Sequence, residues 1–392
     1  MRIAVFGGSF NPPHNGHIRA AQAAKLALNA DKLLIVPNAK PPHKAQEENV
    51  PSAETRLLLT RRAFEGIDGA EVSDIEIRRG GLSYTVDTLT ELKKRFPNDE
   101  LILLMGTDML TSFETWRDYR RIFNLATLAA FPRMQDEIEE IRNARTYYAD
   151  KYGARVEEIG LIPTELSSTE LRTLLKNREG NNLLPDPVYR EIIKYRLYTA
   201  KPNLAWLREI AYTYLDEKRV SHVRGCEQEA VRLAERWGAD AGLAAEAGIL
   251  HDITKKLKGP EQLLLCEEYG IITDVDEKTN FKLLHSKTGA AFARDQFGIC
   301  DEVYTAILWH TTGRADMTLL EKIIYIADYM EPTRDFEGVD LLRQLAYADL
   351  DSAVIEGLKM SLEELRKRDA LPHANSVSAL NWLMEHKKDK KP

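Results

Sequence analysis

The sequence predicts two units in series, an open and doubly wound α/β sheet over residues 1–200 and an all-helical block over residues 203–388. Three observations carry that expectation. Up to about residue 200, apolar runs of strand length alternate with amphipathic helical patterns, as in a mostly parallel sheet. Past Lys201-Pro202-Asn203 the alternation stops, and apolar residues recur at spacings of three and four, as helices require. With 392 residues, 44% of them hydrophobic, the chain can bury two separate cores.

In chain order, strands are expected at Ile3–Phe6, Lys32–Val36, Glu71–Ile77, Glu100–Met105, Thr127–Phe131 and Arg155–Glu158. Helices are expected between them near His17–Leu28, Ser52–Glu65, Asp87–Phe96, Met109–Arg117 and Asp136–Tyr152. Ligands of such sheets bind beyond the carboxyl ends of the strands. The turns at Gly7 and at Met105-Gly106-Thr107-Asp108 both follow strands, so they can face one crevice. In the helical block, helices are expected at Leu204–Lys218, Val223–Trp237, Ala241–Asp252, Ser286–Phe297, Asp301–His310 and Leu319–Tyr329. The closing HKKDKKP reads as a charged, frayed tail.

Composition narrows the function. The chain carries 54 Lys plus Arg against 61 Asp plus Glu, a net charge of −7, which argues against a non-specific nucleic-acid binder or a polybasic membrane binder. Cys226, Cys266 and Cys300 are widely spaced and form no CxxC pair, which points to a reducing compartment. The opening MRIAVFGGSFNPP breaks its apolar run with Gly and Pro, unlike a signal peptide. No apolar stretch approaches the roughly eighteen residues of a membrane span. The expectation is a soluble cytoplasmic protein acting on small molecules, with homo-oligomer formation left open.

Residues 7–17 read GGSFNPPHNGH. A strand, a glycine turn and an opening helix make a phosphate cradle, because glycine lets the backbone approach an anion and the helix start offers N–H groups and a positive dipole end. Gly7, Gly8, Ser9 and Phe10 form the turn, with His14 and His17 beside the phosphates as short donors. Neither a Walker loop nor a GxGxxG fingerprint is present. Pro41-Pro42-His43-Lys44 is a stiff loop with a cation, though an exposed Pro-rich loop would read alike. Ser83–Leu89, SYTVDTL, opens a helix that Thr85 or Asp87 can cap. Gly106-Thr107-Asp108 with Trp116 sets a carboxylate and an aromatic near a strand end, where a Trp is equally at home in a core. Ser167–Arg172, SSTELR, reads as a capped helix start, with Arg172 aimed either at solvent or at phosphate.

These five ordered strings resemble those of the bacterial nicotinate-nucleotide adenylyltransferases, over roughly the first half of the chain. Ser9 and Asn11 stand where that family often has Thr and Asp. The resemblance implies a Rossmann-like nucleotidyltransferase that moves the adenylyl group of ATP, with Mg²⁺ on its phosphates, to nicotinate mononucleotide. It also implies roles. His14, His17, Lys44 and Arg172 would stabilise charge on the phosphates, with Ser168 and Thr169 at the same helix start, and Gly106 and Asp108 would hold the ribose. Trp116 would stack on the pyridine, with Tyr84 and Thr85 at the nicotinate end. A sister transferase with another acceptor, such as phosphopantetheine, is the alternative, and SYTVDTL with Trp116 favours the nicotinate branch.

The helical half holds His222, His251-Asp252, His285, His310 and Asp328. Mixed N/O donors of this kind suit Fe, Mn, Zn or Mg. The strings AGILHDITK at Ala247–Lys255, HTTG at His310–Gly313 and LEKIIYIADYMEPTR at Leu320–Arg334 resemble the HD superfamily of metal phosphohydrolases. The closest likeness is to its YqeK-type branch, which cleaves diadenosine tetraphosphate symmetrically into two ADP. The resemblance implies two ions, with Fe first in expectation. His222, His251, Asp252 and Asp328 would hold one, and His285 and His310 the other, with Asp252 bridging. Lys255 and Arg334 would contact phosphate, or equally stand as solvated charges. An HD hydrolase for another nucleotide, or a regulatory nucleotide-binding module, is the alternative. The intact ligand set argues against lost turnover, and the lack of a Gly-Tyr-Pro string argues against cyclic dinucleotides.

Overall fold

The computed structural model describes residues 1–42, 50–132, 134, 137–160, 167–274, 277 and 280–388. The chain divides into two compact units, Met1–Lys201 and Pro202–Pro392. In the first, continuous apolar runs form parallel strands buried on both faces. The order is β1 (Arg2–Gly8), α1 (Asn15–Ala27), β2 (Lys32–Pro37), α2 (Ala53–Phe64), β3 (Ala70–Val72), α3 (Ile75–Arg79), α4 (Thr85–Arg95) and β4 (Glu100–Gly106). There follow α5 (Thr107–Thr111), α6 (Tyr119–Leu125), β5 (Thr127–Phe131), α7 (Ile138–Tyr152), β6 (Val156–Glu158), α8 (Ser168–Lys176) and α9 (Asp186–Lys194).

All six strands are parallel, in the order β3-β2-β1-β4-β5-β6. The order reverses between β1 and β4, and a ligand crevice opens outside the carboxyl ends at such a switch point. Alternate residues serve opposite faces. Ile3 and Val5 pack with Leu89 of α4, Leu110 of α5 and Tyr148 of α7. Ala4 and Phe6, also buried, face the other side, where α1 packs on β1 and β2, and α2 on β2 and β3.

Three expectations need correction here. Glu71–Ile77 is not one strand, because β3 ends at Val72 and Ile75–Arg79 is helical. Ile75 and Ile77, two apart, mimic a strand, but the Arg78 N–H bonds to the Asp74 carbonyl at 2.8 Å. Met109–Arg117 is not one helix. The helix covers Thr107–Thr111, a 3₁₀ turn covers Phe113–Thr115, and Trp116 follows both. The Ser112 hydroxyl bonds back to the Asp108 carbonyl at 2.7 Å, competing with the helical ladder. Finally, β1 runs through both glycines, which pair with Val36 and Pro37, so the turn begins at Ser9.

The second unit has no strand among its described residues. Its helices are α10 (Leu204–Tyr212), α11 (Glu217–Trp237), α12 (Ala241–Leu250), α13 (Gly259–Glu268), α14 (Leu284–Phe297), α15 (Asp301–Trp309), α16 (Leu319–Met330), α17 (Val339–Ala348), α18 (Leu350–Lys367) and α19 (Ala374–Lys388). The expected Leu204–Lys218 helix stops early, because Asp216 accepts the Arg219 N–H at 2.8 Å and caps α11. As a result His222 lies within α11 rather than ahead of it. Helix α12, AGLAAEAGIL, is apolar nearly all round and lies at the centre, against α10, α11, α15 and α16. A Cβ on Gly248 would come within 2.7 Å of the Glu227 Cα, so this glycine sets the close crossing of α11 and α12. Among the described residues, no helix is long and apolar enough to cross a membrane.

One buried cation ties the carboxyl edge of the sheet together. Arg56 of α2 is 4% exposed. Its Nη1 donates to the Ser9 carbonyl at 2.8 Å and to Asn38 Oδ1 at 3.0 Å. Its Nη2 donates to the Asn38 and Ala39 carbonyls at 2.7 and 2.9 Å. The loops after β1 and β2 are thereby clamped to each other. Arg56→Met strands three part-buried carbonyls and is expected to destabilise this unit by about 2–4 kcal/mol, read as a lower thermal midpoint. Arg56→Lys should recover only part, because an ammonium lacks the planar fork. An unchanged midpoint in Arg56→Met would contradict the clamp.

Candidate active sites

In the first unit the loop after β1 delivers both histidines to the start of α1. His14 is buried and forms the N-cap, with extended backbone. Its backbone N–H donates to His17 Nδ1 at 3.2 Å, and the two ring centroids are 3.8 Å apart. A donor on Nδ1 assigns the tautomer, leaving Nε2–H of His17 as its donor. A Cβ on Gly16 would come within 3.0 Å of the His14 ring, so the glycine between the histidines makes room for the imidazole. Phe10 has a left-handed backbone, φ 46°, a costly conformation for a bulky residue. Its buried ring meets Phe6, His17 and Phe64 at 5.6, 5.1 and 6.2 Å, and this packing holds it there.

The start of α8 docks on the same loop. Ser167 caps the helix in a reciprocal box with Glu170. The Ser168 hydroxyl reaches the Pro12 carbonyl at 3.4 Å, and Arg172 donates to the Asn11 carbonyl at 3.1 Å and to Thr169 Oγ1 at 3.4 Å. The Tyr198 hydroxyl donates to Asn11 Oδ1 at 2.8 Å. The geometry thus gathers His14, His17, Ser168, Thr169 and Arg172 around residues 11–17.

The remaining residues singled out stand at other element ends along the same edge. Gly106 ends β4 and caps α5, and Asp108 is exposed in the first turn of α5. Tyr84, not Thr85 or Asp87, is the N-cap of α4, and no side chain caps that helix. The neighbouring Ser83 hydroxyl instead accepts the Ala39 N–H at 3.0 Å, joining this segment to the loop after β2. The Arg117 guanidinium lies 4.5 Å over the Tyr84 ring. Trp116 is half-buried, 5.1 Å from Phe113. Lys44 lies outside the described residues.

In the second unit six residues converge from five helices and their ends. His222 lies within α11, His251 caps the end of α12 with Asp252 next to it, His285 opens α14, His310 caps the end of α15, and Asp328 lies in the last turn of α16. Three of the imidazoles are oriented alike. Nδ1 of His251, His285 and His310 faces the carbonyl three residues earlier, that of Gly248, Lys282 and Ile307, at 2.8, 2.5 and 2.7 Å. His222 Nδ1 faces Glu331 Oε1 at 3.0 Å. A carbonyl or carboxylate on Nδ1 fixes that nitrogen as the donor and leaves Nε2 as the ligand atom.

The Nε2 atoms close in pairs, His222 with His251 at 3.3 Å and His285 with His310 at 3.0 Å. Asp252, 2% exposed, stands between the pairs. Its Oδ1 is 3.2 and 3.6 Å from Nε2 of His285 and His310, and its Oδ2 is 3.6 Å from Nε2 of both His222 and His251. Asp328 Oδ1 is 3.0 Å from His222 Nε2. The donor atoms of His222, His251 and Asp328, and those of His251, Asp252 and His310, are near enough to share an ion.

Ligation needs neutral imidazole and ionised carboxylate, and the surroundings favour these forms at His251, His285 and both carboxylates but not at His222. Burial brings His251 and His285 down to about 4. Burial also pulls His222 down, but hydrogen bonds and charge from Asp328 and Glu331 outweigh it and raise it overall. Burial would raise Asp252 and Asp328, yet the imidazoles around each hold them well below the carboxylate range.

Sequence reasoning passed over several supporting residues. Glu331 is fully buried and besides His222 it accepts the Thr333 N–H and hydroxyl at 2.7 and 2.5 Å. Thr311 Oγ1 is 3.3 and 3.2 Å from Nε2 of His285 and His310. Arg219 Nη1 is 2.9 Å from Asp252 Oδ2. Glu331 stood inside the quoted string after Asp328, whereas Arg219 and Arg56 had no motif to mark them.

Comparison with known proteins divides the chain in the same way. Residues 5–174 match the family described as cytidylyltransferase-like, and residues 219–333 match the HD domain family. A Mycoplasma pneumoniae protein described as a probable nicotinate-nucleotide adenylyltransferase/Ap4A hydrolase is 31% identical, over 89% of this chain and 96% of its own. A Gemmatimonas aurantiaca protein described as a probable nicotinate-nucleotide adenylyltransferase is 36% identical, over 52% of this chain and 95% of its own. A crystal structure from Clostridium acetobutylicum, described as a predicted HD superfamily hydrolase involved in NAD metabolism, is 38% identical over 46% of this chain and 97% of its own, with a TM-score of 0.45.

Gly225 gives a direct test of the Glu331 support. A Cβ there would clash with Glu331 Oε2, so Gly225→Ala should push the carboxylate off His222. Outer-shell losses of this kind weaken metal binding by about 10–100-fold, and metal titration of the variant should show that loss. Affinity equal to wild type would remove Glu331 from the account.

Proposed function

The chain belongs to the family of nicotinate-nucleotide adenylyltransferase/Ap4A hydrolases, and on that premise we propose that it adenylylates nicotinate mononucleotide in its first unit and splits diadenosine tetraphosphate (Ap4A) in its second. The observation that carries the second activity is the buried Asp252 carboxylate with one oxygen toward each histidine pair.

In the first unit a phosphate oxygen of nicotinate mononucleotide bonds to the α-phosphorus of ATP. The α–β bridging bond breaks and pyrophosphate leaves with the electron pair. No covalent enzyme intermediate is needed, so the protein positions and stabilises charge. His14, His17, Lys44 and Arg172 are the charge-stabilising groups, acting on the phosphates with the Mg²⁺ that ATP brings. The end of β1 at Gly7 and Gly8, the turn at Ser9 and Phe10, and the helix start at Ser168 and Thr169 line the phosphate path. Gly106 and Asp108 hold the ribose, Trp116 stacks on the pyridine, and Tyr84 and Thr85 border the nicotinate end. The Nε2–H assigned to His17 and the N-cap position of His14 support this reading.

In the second unit, His222, His251, Asp252 and Asp328 would hold one divalent ion and His285 and His310 a second, with Asp252 shared. Buried imidazole nitrogens with oriented Nε2 atoms and two ionised carboxylates fit Fe, Mn or Zn, and Fe stands first. When bound, such ions supply Lewis acidity toward phosphate and lower the pKa of water. The oxygen of a water bonds to one central phosphorus and the middle bridging bond breaks. One ADP carries the new oxygen, the other leaves with the bridging oxygen and the electron pair, and the protons of the water pass to the leaving phosphate and to solvent. Lys255 and Arg334 contact the phosphates.

The two sites share no residue, so they should fail separately. His17→Ala should cut adenylyl transfer by roughly 100-fold or more and leave hydrolysis near wild type, while Asp252→Ala should do the reverse. Each rate is measured on the full chain, with circular dichroism checking the fold. Loss of both activities in either well-folded variant would sink the two-site reading.

A further inference from the structure

Three cations surround the two carboxylates of the helical unit. Arg334 Nη2 is 2.8 Å from Asp328 Oδ1, and its Nε donates to the Asp328 carbonyl at 3.0 Å. Lys255 Nζ is 2.9 Å from His285 Nε2 and 3.8 Å from Asp252 Oδ1. Arg219, one turn before His222 on α11, is 2.9 Å from Asp252 Oδ2. The side chains are 38%, 31% and 31% exposed, so each reaches from buried Asp252 or part-buried Asp328 to where a solute can meet it. They are also divided. Arg219 and Arg334 stand on the side of His222, His251 and Asp328, whereas Lys255 stands on the side of His285 and His310.

We propose that Arg219 is a substrate-gripping residue that sets phosphate-chain length. Arg219 and Arg334 hold the phosphates on one side of the attacked phosphorus, and Lys255 holds those on the other. The inference rests on the polyphosphate hydrolase reading of this site. Among the described residues, the guanidinium of Arg219 spends one donor of its five on Asp252. Lys255 also stands beside Asp252, on its other oxygen, so a second cation remains near that carboxylate when Arg219 turns to a phosphate. A planar fork with donors left over suits phosphate oxygens, and charge-assisted bonds of this geometry are the strong ones. Cations at both ends of the cluster favour a chain with phosphates on both flanks, and so cleavage within the chain rather than at its tip.

The test compares metal-loaded wild type, Arg219→Gln and Arg219→Lys on diadenosine tri-, tetra- and pentaphosphate. Metal content and inhibition by ADP are read alongside. Arg219→Gln is expected to keep two ions per chain, to raise KM for the tetraphosphate about tenfold or more, and to change kcat little. Inhibition by ADP should weaken in step, the preference for tetraphosphate over triphosphate should fall, and Arg219→Lys should regain part of each. Lost metal with unchanged KM would make Arg219 a prop for Asp252 and overturn the proposal, as would a variant identical to wild type. Wild-type protein that releases no ADP from the tetraphosphate would overturn both this proposal and the reading beneath it. Release of ADP by wild type, with an unaltered variant, overturns this one alone.

Discussion

A charge taken out of water must be met by partners, and that constraint organises both units. In the helical unit the charge is Asp252, 2% exposed, met by Arg219 on one oxygen and Lys255 near the other within a ring of imidazoles that arrive from α11, α12, α14 and α15. Those rings are themselves held by helix-end carbonyls and by Glu331. In the α/β unit the charge is Arg56, whose four hydrogen bonds go to the two loops at the carboxyl edge. Each buried ion lies where element ends meet, so satisfying it fixes the loops and turns from which the chemistry is done.

The sites use backbone geometry more than they use side-chain number. An imidazole bonded to the carbonyl three residues back is preset by its own helix end, which lowers the cost of ordering it when a ligand arrives. Three of the four histidines around Asp252 follow that rule. In the first unit the N-cap position of His14 places its own N–H on His17, which sets the tautomer of the second histidine through the backbone of the first. Glycines complete both arrangements by being small. Gly16 leaves room for the His14 ring, Gly225 for Glu331, and Gly248 for the crossing of α11 on α12.

Local patterns in the sequence were legible where the physics is local. The apolar runs at Ile3–Phe6, Lys32–Val36 and Thr127–Phe131 are long enough for burial on both faces to dominate, and all lie within strands. The SSTELR cap reads directly, because a capping box is complete within four residues. Glu71–Ile77 misled because alternation over a few residues fits a strand and a short turn of helix equally, and the helical hydrogen bond from Arg78 decided it. Arg56, Arg219 and Glu331 were not legible as site residues. Their partners are far away in the chain, as with Glu331 and Gly225, and no spacing rule reports a contact that tertiary packing creates. Helices α13 and α17–α19 were also passed over, since they carry none of the motifs that drew attention to their neighbours.

The central claim is that one chain carries two independent nucleotide chemistries, and product analysis tests it most directly. Metal-loaded full-length protein is given ATP with nicotinate mononucleotide in one reaction and diadenosine tetraphosphate in another, and the products are separated by chromatography. The account predicts nicotinate adenine dinucleotide with pyrophosphate from the first and ADP as the sole nucleotide from the second. AMP with ATP from the tetraphosphate, or no dinucleotide from the first reaction, would contradict it.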